Sequence, residues 1–154
     1  MRRGLAIAAL VLALDQASKT LVLALFAHGP HGLVVLPVFN LVLVFNRGVS
    51  FSLLTSGAEA APYLLSALAL AVAAALVYWL RTAEAAVTRL AVGLVLGGAV
   101  GNVVDRLRFG AVVDFLDFHW KTLHWPAFNL ADSAICLGAA ILIWDALFGR
   151  SHSR

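Results

Sequence analysis

The chain has 154 residues, a formal net charge of +3 and only 12% charged residues, whereas 62% are apolar before its 12 glycines are counted. Soluble domains average about 45–50% apolar residues with glycine included, so the composition excludes a disordered chain, a disulfide scaffold and an ordinary soluble enzyme. It indicates a small polytopic membrane protein with no basic tract for nucleic acid, and the lone Cys136 excludes an intrachain disulfide.

Four stretches are apolar enough to cross a membrane, which takes about 20 mostly apolar residues. We predict spans at about 4–26, 60–80, 90–107 and 127–148, within a single integral-membrane domain covering 1–154. The first stretch follows two arginines, as a signal peptide would, but it continues past Asp15 without a convincing cleavage site. We therefore expect it to be a retained span.

The basic residues predict the orientation of these spans. With the N-terminus inside, the inside segments hold six basic residues in 18 positions, and the outside segments hold four in 55. Because Lys and Arg concentrate on the cytoplasmic side of membrane proteins, we expect both termini in the cytoplasm. The segments 27–59 and 105–126 then lie at the outer face.

The first span contains two opposite charges, Asp15 and Lys19, which are four residues apart and share one helix face. An ionisable side chain at mid-bilayer costs roughly 2.5–3.5 kcal/mol on insertion scales, and pairing offsets part of that cost. We interpret the pair as a self-neutralising brace that also bonds to neighbouring helices. An alternative is that it positions a substrate near the outer leaflet.

The segment 33–45 is apolar but too short to span a membrane. It is rich in valine and phenylalanine, and Pro37 would break a helix there. We therefore predict strand structure lying on the outer membrane surface.

Glycines recur at every fourth residue of the third span: Gly93, Gly97 and Gly101. This spacing predicts a bare stripe against which another helix packs closely. One turn later, Asn102, Asp105 and Arg106 share one side at the outer end of the span. Alone, these three residues are typical of an interfacial cap with a snorkelling arginine.

Two carboxylates in apolar surroundings carry the strongest chemical signal. Asp114, expected in a loop, and Asp132, just inside the fourth span, should both lie at the outer interface, together with Asn46, Asn102 and Arg106. Neighbouring carboxylates in a semi-apolar site cannot both ionise easily, so the pair can share one proton. Such a pair suits hydrolysis of an amide by water, with one carboxylate as base and the other as acid.

The polar residues between 117 and 124 have a simpler interpretation than a binding site. Asp117, His119 and His124 could suggest a metal site with Asp114, but their spacing fits no compact ligand motif. An aromatic belt with Trp120 and Trp125 explains them better, so we expect no metal.

Two other function classes also place charge inside a membrane. A small transporter would have its site near the midplane between repeated halves, whereas this chain shows no repeat and its polar cluster lies at one interface. A non-enzymatic assembly factor would tolerate single Asp-to-Asn changes at 114 and 132, because asparagine keeps the size and most hydrogen bonding.

Five sequence blocks occur in chain order: Asp15–Lys19, Asn46–Ser52, Gly101–Arg106, Val113–Phe115 and Pro126–Ser133. Each block is weak alone, but five in order on a four-span chain are specific. With these blocks the chain resembles the lipoprotein signal peptidase (signal peptidase II) family, the aspartic endopeptidases of bacterial membranes.

The resemblance implies an all-α membrane protein of four transmembrane helices with a small extracytoplasmic β-cradle and a surface loop or helix. It implies that Asp114 and Asp132 are the catalytic pair. The residues implied to bind substrate are Asn46, Gly48, Asn102, Arg106 and Asn129, and those implied to support the site are Asp15, Lys19 and Asp105.

The implied substrate is a prolipoprotein whose cysteine already carries diacylglycerol, and the implied cleavage falls just before that cysteine. The implied location is the bacterial cytoplasmic (inner) membrane, with the active site at its outer face. We expect a monomer that contacts membrane lipids and needs no metal or organic cofactor.

Overall fold

The computed structural model describes residues 1–48 and 60–149. In chain order the elements are α1 (Arg2–Leu25), β1 (Gly32–Leu36), β2 (Phe39–Asn46), α2 (Ala61–Thr82), α3 (Ala86–Phe109), β3 (Val112–Trp120), β4 (Leu123–His124) and α4 (Leu130–Phe148). The four helices are long and apolar enough to cross a membrane, which agrees with the predicted fold class and with a multi-pass membrane protein.

Helix α3 is the centre of the bundle and packs against α1, α2 and α4. Half of its most apolar 18-residue window is buried inside the protein, whereas the corresponding share is 17–28% for the other three helices. The outer helices instead expose large apolar side chains such as Leu21 on α1 and Leu64 on α2. Such side chains suit contact with lipid, so the bundle is built around one helix whose surroundings are mostly protein.

The predicted glycine stripe on α3 is confirmed as a packing surface. A Cβ atom on Gly97 would lie 2.6 Å from the carbonyl oxygen of Ala8, and one on Gly93 would lie 2.6 Å from that of Gly4. On the next turn, a Cβ on Gly101 would lie 2.6 Å from Oδ2 of Asp15. The missing side chains let α1 approach α3 closely enough for the polar residues of the two helices to meet.

A four-stranded antiparallel sheet, in the order β1-β2-β3-β4, lies at the end of the bundle where α1 and α3 finish and α4 begins. The run 33–45, predicted to form strand, supplies β1 and β2, and Pro37 and Val38 form the turn between them. Strand β2 pairs with β3 so that Val44 faces Asp114 across the ladder. The sheet therefore brings the second and fourth sequence blocks side by side.

The expectation that Asp114 comes from a loop is wrong, because this residue lies within β3. The first four residues of that strand, 112–115, are all buried. Since both faces are covered there, the strand lacks the alternation of apolar and polar residues that would reveal it in the sequence.

Two helices begin at positions other than the predicted ones. Helix α4 starts at Leu130 and not near 127, because Phe128 is held in extended structure by two backbone hydrogen bonds with Leu116, of 2.8 and 3.1 Å. Helix α3 starts at Ala86, four residues before the predicted position, where Thr88 and Arg89 make the sequence less apolar without interrupting the helix.

Candidate active site

Asn129 lies at the junction between the sheet and α4, and its side chain is fully buried. As the N-cap of α4 it has extended backbone angles, and its Oδ1 accepts a hydrogen bond of 2.9 Å from the backbone N–H of Asp132. In return, Oδ2 of Asp132 accepts one of 3.3 Å from the backbone N–H of Asn129. This reciprocal capping box satisfies N–H groups that a helix N-terminus leaves free, and it sets the position of Asp132.

The same asparagine also bonds to the second carboxylate. Its Nδ2 donates to Oδ1 of Asp114 at 2.8 Å and makes longer contacts of 3.3 Å with Oδ1 of Asn102 and the carbonyl oxygen of Val113. Asn129 therefore joins Asp114 on the strand to Asp132 on the helix.

Asp114 is only 2% exposed and accepts a second hydrogen bond, of 3.0 Å, from Nδ2 of Asn46 to its Oδ2. Burial raises the pKa of Asp114 from 3.8 to about 6, and the nearby charge of Asp132 adds to that rise. The hydrogen bonds from Asn46 and Asn129 and the positive charge of Lys19 lower the pKa and offset part of the effect. Asp114 thus titrates much closer to neutral pH than an ordinary aspartate.

Asp132 lies in the first turn of α4, where it also accepts a hydrogen bond of 2.8 Å to Oδ1 from Nδ2 of Asn102 on α3. The positive end of the helix dipole favours a negatively charged group at this position. Helix α3 and helix α4 both orient this carboxylate, and Asn129 links it to Asp114.

Among the described residues, two grooves reach the group formed by Asn102, Asp114, Asn129 and Asp132. One, of about 430 Å³, is lined by strand β2 and the segment before α4 and opens onto Asp114. Its lining residues are Val44, Phe45, Asn46, Arg47, Asp114, Pro126 and Ala127. The other, of about 310 Å³, lies among α2, α3 and α4 and is apolar except for Asn102 and Arg106. A ligand whose polar part lies beside these residues would therefore have space for an apolar part in the groove among the helices.

The remaining residues predicted to bind substrate lie around the same grooves. Gly48 has a φ of 78°, which favours glycine, and its N–H donates a hydrogen bond of 2.9 Å to Oδ1 of Asn46. This bond leaves Nδ2 of Asn46 directed at Asp114. Arg106 donates to the carbonyl oxygen of Asn102 at 3.4 Å, and its buried Nε has no hydrogen-bond partner among the described residues. Positions 49–52 of the second block lie outside the described residues.

The predicted pairing of Asp15 with Lys19 is present, at 2.9 Å, and it belongs to a larger buried group. Nζ of Lys19 also lies 2.7 Å from Oδ2 of Asp105 on α3, and Gln16 donates to Oδ1 of Asp105 at 2.9 Å. We call Asp15, Gln16, Lys19 and Asp105 the Lys19 cluster. Gln16 was not singled out from the sequence, although an amide inside an apolar helix, next to Asp15, was a usable signal.

Asp117 and His124 lie away from the carboxylate pair and hold three strands together. Oδ2 of Asp117 accepts a hydrogen bond of 2.8 Å from Asn40 on β2, and its Oδ1 lies 2.9 Å from Nδ1 of His124 on β4. Burial alone would raise the pKa of Asp117, but these hydrogen bonds and the two nearby imidazoles lower it below its ordinary value. Within residues 1–48 and 60–149, no group of three His, Cys, Asp or Glu side chains is placed to hold a metal ion.

Comparison with known proteins assigns the chain to a family. The family model described as Signal peptidase (SPase) II matches residues 7–148. A lipoprotein signal peptidase of Aeromonas hydrophila subsp. hydrophila is 47% identical over 145 residues, which cover 93% of this chain and 87% of the relative. One from Paraburkholderia phymatum is 47% identical over 146 residues, covering 93% and 86%.

A solved structure described as "Bacterial membrane enzyme structure by the in meso method at 1.9 Å resolution" has the same fold, with a TM-score of 0.82 and 26% identity. The alignment covers 98% of this chain and 96% of that one. Because the family model spans most of the chain and the relatives align over nearly all of it, the chain belongs to the signal peptidase II family of membrane proteases.

Proposed function

We propose that this protein is an aspartic endopeptidase that cleaves the signal peptide from prolipoproteins, just before a cysteine modified with diacylglycerol. Asp114 and Asp132 form its catalytic pair. The observation that carries the proposal is the bonding of one buried amide, Asn129, to both aspartates, which come from a strand and a helix at one end of a membrane bundle.

The reaction requires the pair to hold one proton between its two carboxylates. The ionised carboxylate takes a proton from water as the water oxygen bonds to the scissile carbonyl carbon. The protonated carboxylate gives its proton to the carbonyl oxygen, and a tetrahedral intermediate forms. When the intermediate collapses, the carbon–nitrogen bond breaks and the nitrogen receives the proton that the first carboxylate took from water. One hydroxyl of the intermediate returns a proton to the other carboxylate as the carbonyl re-forms, so the pair again holds one proton. The products are the signal peptide, which ends in a new carboxyl group, and the lipoprotein, whose lipidated cysteine carries a free amine.

The pKa of about 6 makes Asp114 the better carrier of the shared proton. Asp132 lies at the N-terminus of α4, where a negative charge is favoured, and is therefore assigned the role of the ionised carboxylate that accepts the proton of water. A bound substrate that excludes water would favour the protonated form of Asp114 further, because desolvation disfavours charge.

The two grooves suit the two parts of such a substrate. The groove beside β2 would hold the peptide in extended form next to Asp114 and Asn46. The apolar groove among α2, α3 and α4 would hold hydrocarbon, with Asn102 and Arg106 at its polar end. Gly48 and Asn129 act indirectly, by orienting Asn46 and both carboxylates.

The proposed location is the bacterial cytoplasmic membrane, with both termini inside and the sheet at the outer face. The higher density of Arg in the inside segments supports this orientation. We propose a monomer in contact with lipid, because every residue proposed for the site belongs to one chain. The proposed chemistry uses no metal or organic cofactor.

The test is cleavage of a diacylglyceryl-modified precursor by the purified protein in detergent, with mass spectrometry of both products. We expect Asp114→Asn and Asp132→Asn each to abolish cleavage while the protein stays folded. Asp145→Asn, the same change near the other end of α4, is the matched control and should cleave normally. Turnover by either Asp114→Asn or Asp132→Asn would reject the catalytic pair.

A further inference from the structure

We propose that Lys19 is a positioning residue for this reaction: its ammonium joins two buried carboxylates, and each carboxylate holds the backbone N–H directly before one catalytic aspartate. The carboxylates are those of Asp15 and Asp105, and the aspartates are Asp132 and Asp114, respectively. The inference rests on the proposed function, because it explains how that pair is held in place.

The hydrogen bonds form two matching arms. In one arm, Oδ1 of Asp15 accepts a bond of 3.0 Å from the N–H of Ala131, the residue before Asp132. In the other arm, Oδ2 of Asp105 accepts one of 3.1 Å from the N–H of Val113, the residue before Asp114. Lys19 closes the arms at 2.9 and 2.7 Å. A single charge on α1 thus sets the spacing between α4 and β3.

Burial makes this arrangement rigid. Asp15 and Asp105 are fully buried, and Lys19 is 2% exposed. A buried ion pair is strongly disfavoured when one partner is removed, because the remaining charge is left without compensation. The arms therefore have little freedom to lengthen, and misplacement of a reacting group by about 1 Å can lower a rate by about 100-fold.

Lys19 has a third contact that orients a neighbouring amide. Its Nζ donates to Oδ1 of Asn102 at 3.2 Å, and Nδ2 of Asn129 donates to the same oxygen at 3.3 Å. With its oxygen facing these donors, Asn102 presents Nδ2 to Asp132 at 2.8 Å. Removing the ammonium weakens the preference for this orientation, and a flipped amide would place its oxygen against the Asp132 carboxylate.

Gln16 joins the same two carboxylates without carrying a charge. Its Nε2 donates to Oδ1 of Asp105 at 2.9 Å and to Oδ2 of Asp15 at 3.2 Å. Gln16→Met therefore loosens the arms and leaves the ammonium in place. Lys19→Met loosens the arms and removes the charge. Comparing the two variants separates position from electrostatics.

Removing the charge of Lys19 should change the pKa of Asp114 in one direction only. The charge of Lys19 lowers the pKa of Asp114, so its removal raises that pKa. The other charged groups near Asp114 are Asp132 on α4, which raises the pKa, and Arg106 on α3, which attracts the carboxylate. Both remain in the variant. The limb that Asp114 sets in the bell-shaped pH dependence of kcat/KM, which reports the free enzyme, should therefore move to higher pH in Lys19→Met and stay in place in Gln16→Met.

The experiment measures kcat, KM, the pH profile and the thermal midpoint for the full-length protein with the diacylglyceryl-modified precursor. For Lys19→Met we expect kcat to fall about tenfold or more, with KM changed less than about threefold. For Gln16→Met we expect a fall in kcat of about threefold and an unmoved bell. Lys121→Met is the matched control, because Lys121 is the other lysine of the chain and lies exposed between β3 and β4.

The outcomes distinguish this inference from the proposed function. If Lys19→Met is folded and keeps the wild-type kcat or the wild-type pH profile, the positioning role is overturned, and the catalytic pair stands as long as Asp114→Asn and Asp132→Asn are inactive. If either of those two variants turns over, both proposals fail. If Lys19→Met does not fold, Gln16→Met decides, and a wild-type kcat in that variant overturns the positioning role.

Discussion

Replacing Asn129 separates its two roles, because serine can keep one of them. Asn129→Ser keeps an oxygen that can cap α4 through the N–H of Asp132, whereas Asn129→Ala keeps none. Both variants lose the Nδ2 donor to the buried carboxylate of Asp114. Loss of that charged hydrogen bond should lower the free energy of unfolding by about 1.5–3 kcal/mol in both.

The two variants should differ by the value of the cap. Replacing a capping residue by alanine lowers stability by about 1 kcal/mol, so Asn129→Ala should be less stable than Asn129→Ser by about that amount. In both variants the pKa of Asp114 should rise, because the Asn129 hydrogen bond lowers it. The alkaline limb of the pH dependence of kcat should therefore move to higher pH. The maximal kcat should fall, because Asn129 no longer holds the two carboxylates together.

The assay is equilibrium unfolding in mixed micelles of mild detergent and SDS, followed by cleavage kinetics on the same preparations. Equal stability of the Ser and Ala variants would show that the cap contributes nothing measurable. A wild-type kcat and pH profile in both would refute the argument that Asn129 holds the two carboxylates together.

Two further predictions test the packing and the titration of the site. Gly97→Val should destabilise the protein by about 1–3 kcal/mol, because overpacking of this size would force α1 away from α3. An added Cβ at Gly97 would lie only 2.6 Å from the carbonyl oxygen of Ala8. Gly29→Val is the control, because an added Cβ at Gly29 would have nothing within 4 Å, and equal thermal midpoints of the two variants would contradict the close approach. Asp114→Asn should raise the thermal midpoint at pH 7.5. The pKa of Asp114 is about 6 in the folded protein and 3.8 as an ordinary value, so its ionisation destabilises the folded protein as pH rises between those values. Removing the carboxyl should therefore raise the free energy of unfolding by about 3 kcal/mol at most. This gain should vanish below about pH 4, and a wild-type midpoint at pH 7.5 would show that Asp114 is not strained by burial.

Much of the helical bundle follows from composition, because an apolar run of about 20 residues has few alternatives to a membrane-spanning helix. The glycine stripe of α3 can also be predicted from the sequence, since spacing by four residues places the glycines on one face of the helix. The strand assignment of Asp114 was not available from periodicity, because β3 is covered on both faces at its start. A buried strand of this kind has no polar side to mark its repeat.

The contents of the site were more predictable than its connections. Polar residues in an apolar chain stand out, which is why Asn102, Asp114 and Asp132 were all identified. Their bonding pattern depends on tertiary contacts that local spacing does not encode. The hydrogen bond from Ala131 to Asp15 joins residues 116 positions apart, and only the packing of α1 against α3 and α4 brings them together.

The extended segment at Phe128 leads from the sheet directly into α4, so the two carboxylates belong to one nearly continuous stretch of chain. Closing so short a loop has a small entropic penalty, and this penalty grows only slowly with loop length. The two carboxylates can therefore come together late in synthesis, because they lie on neighbouring segments. Helix α1, in contrast, is synthesised first and can bond to the start of α4 only after α4 has entered the membrane. Errors in biogenesis should accordingly yield molecules that possess the reacting groups but lack their alignment, and such molecules would be inserted in the membrane but inactive.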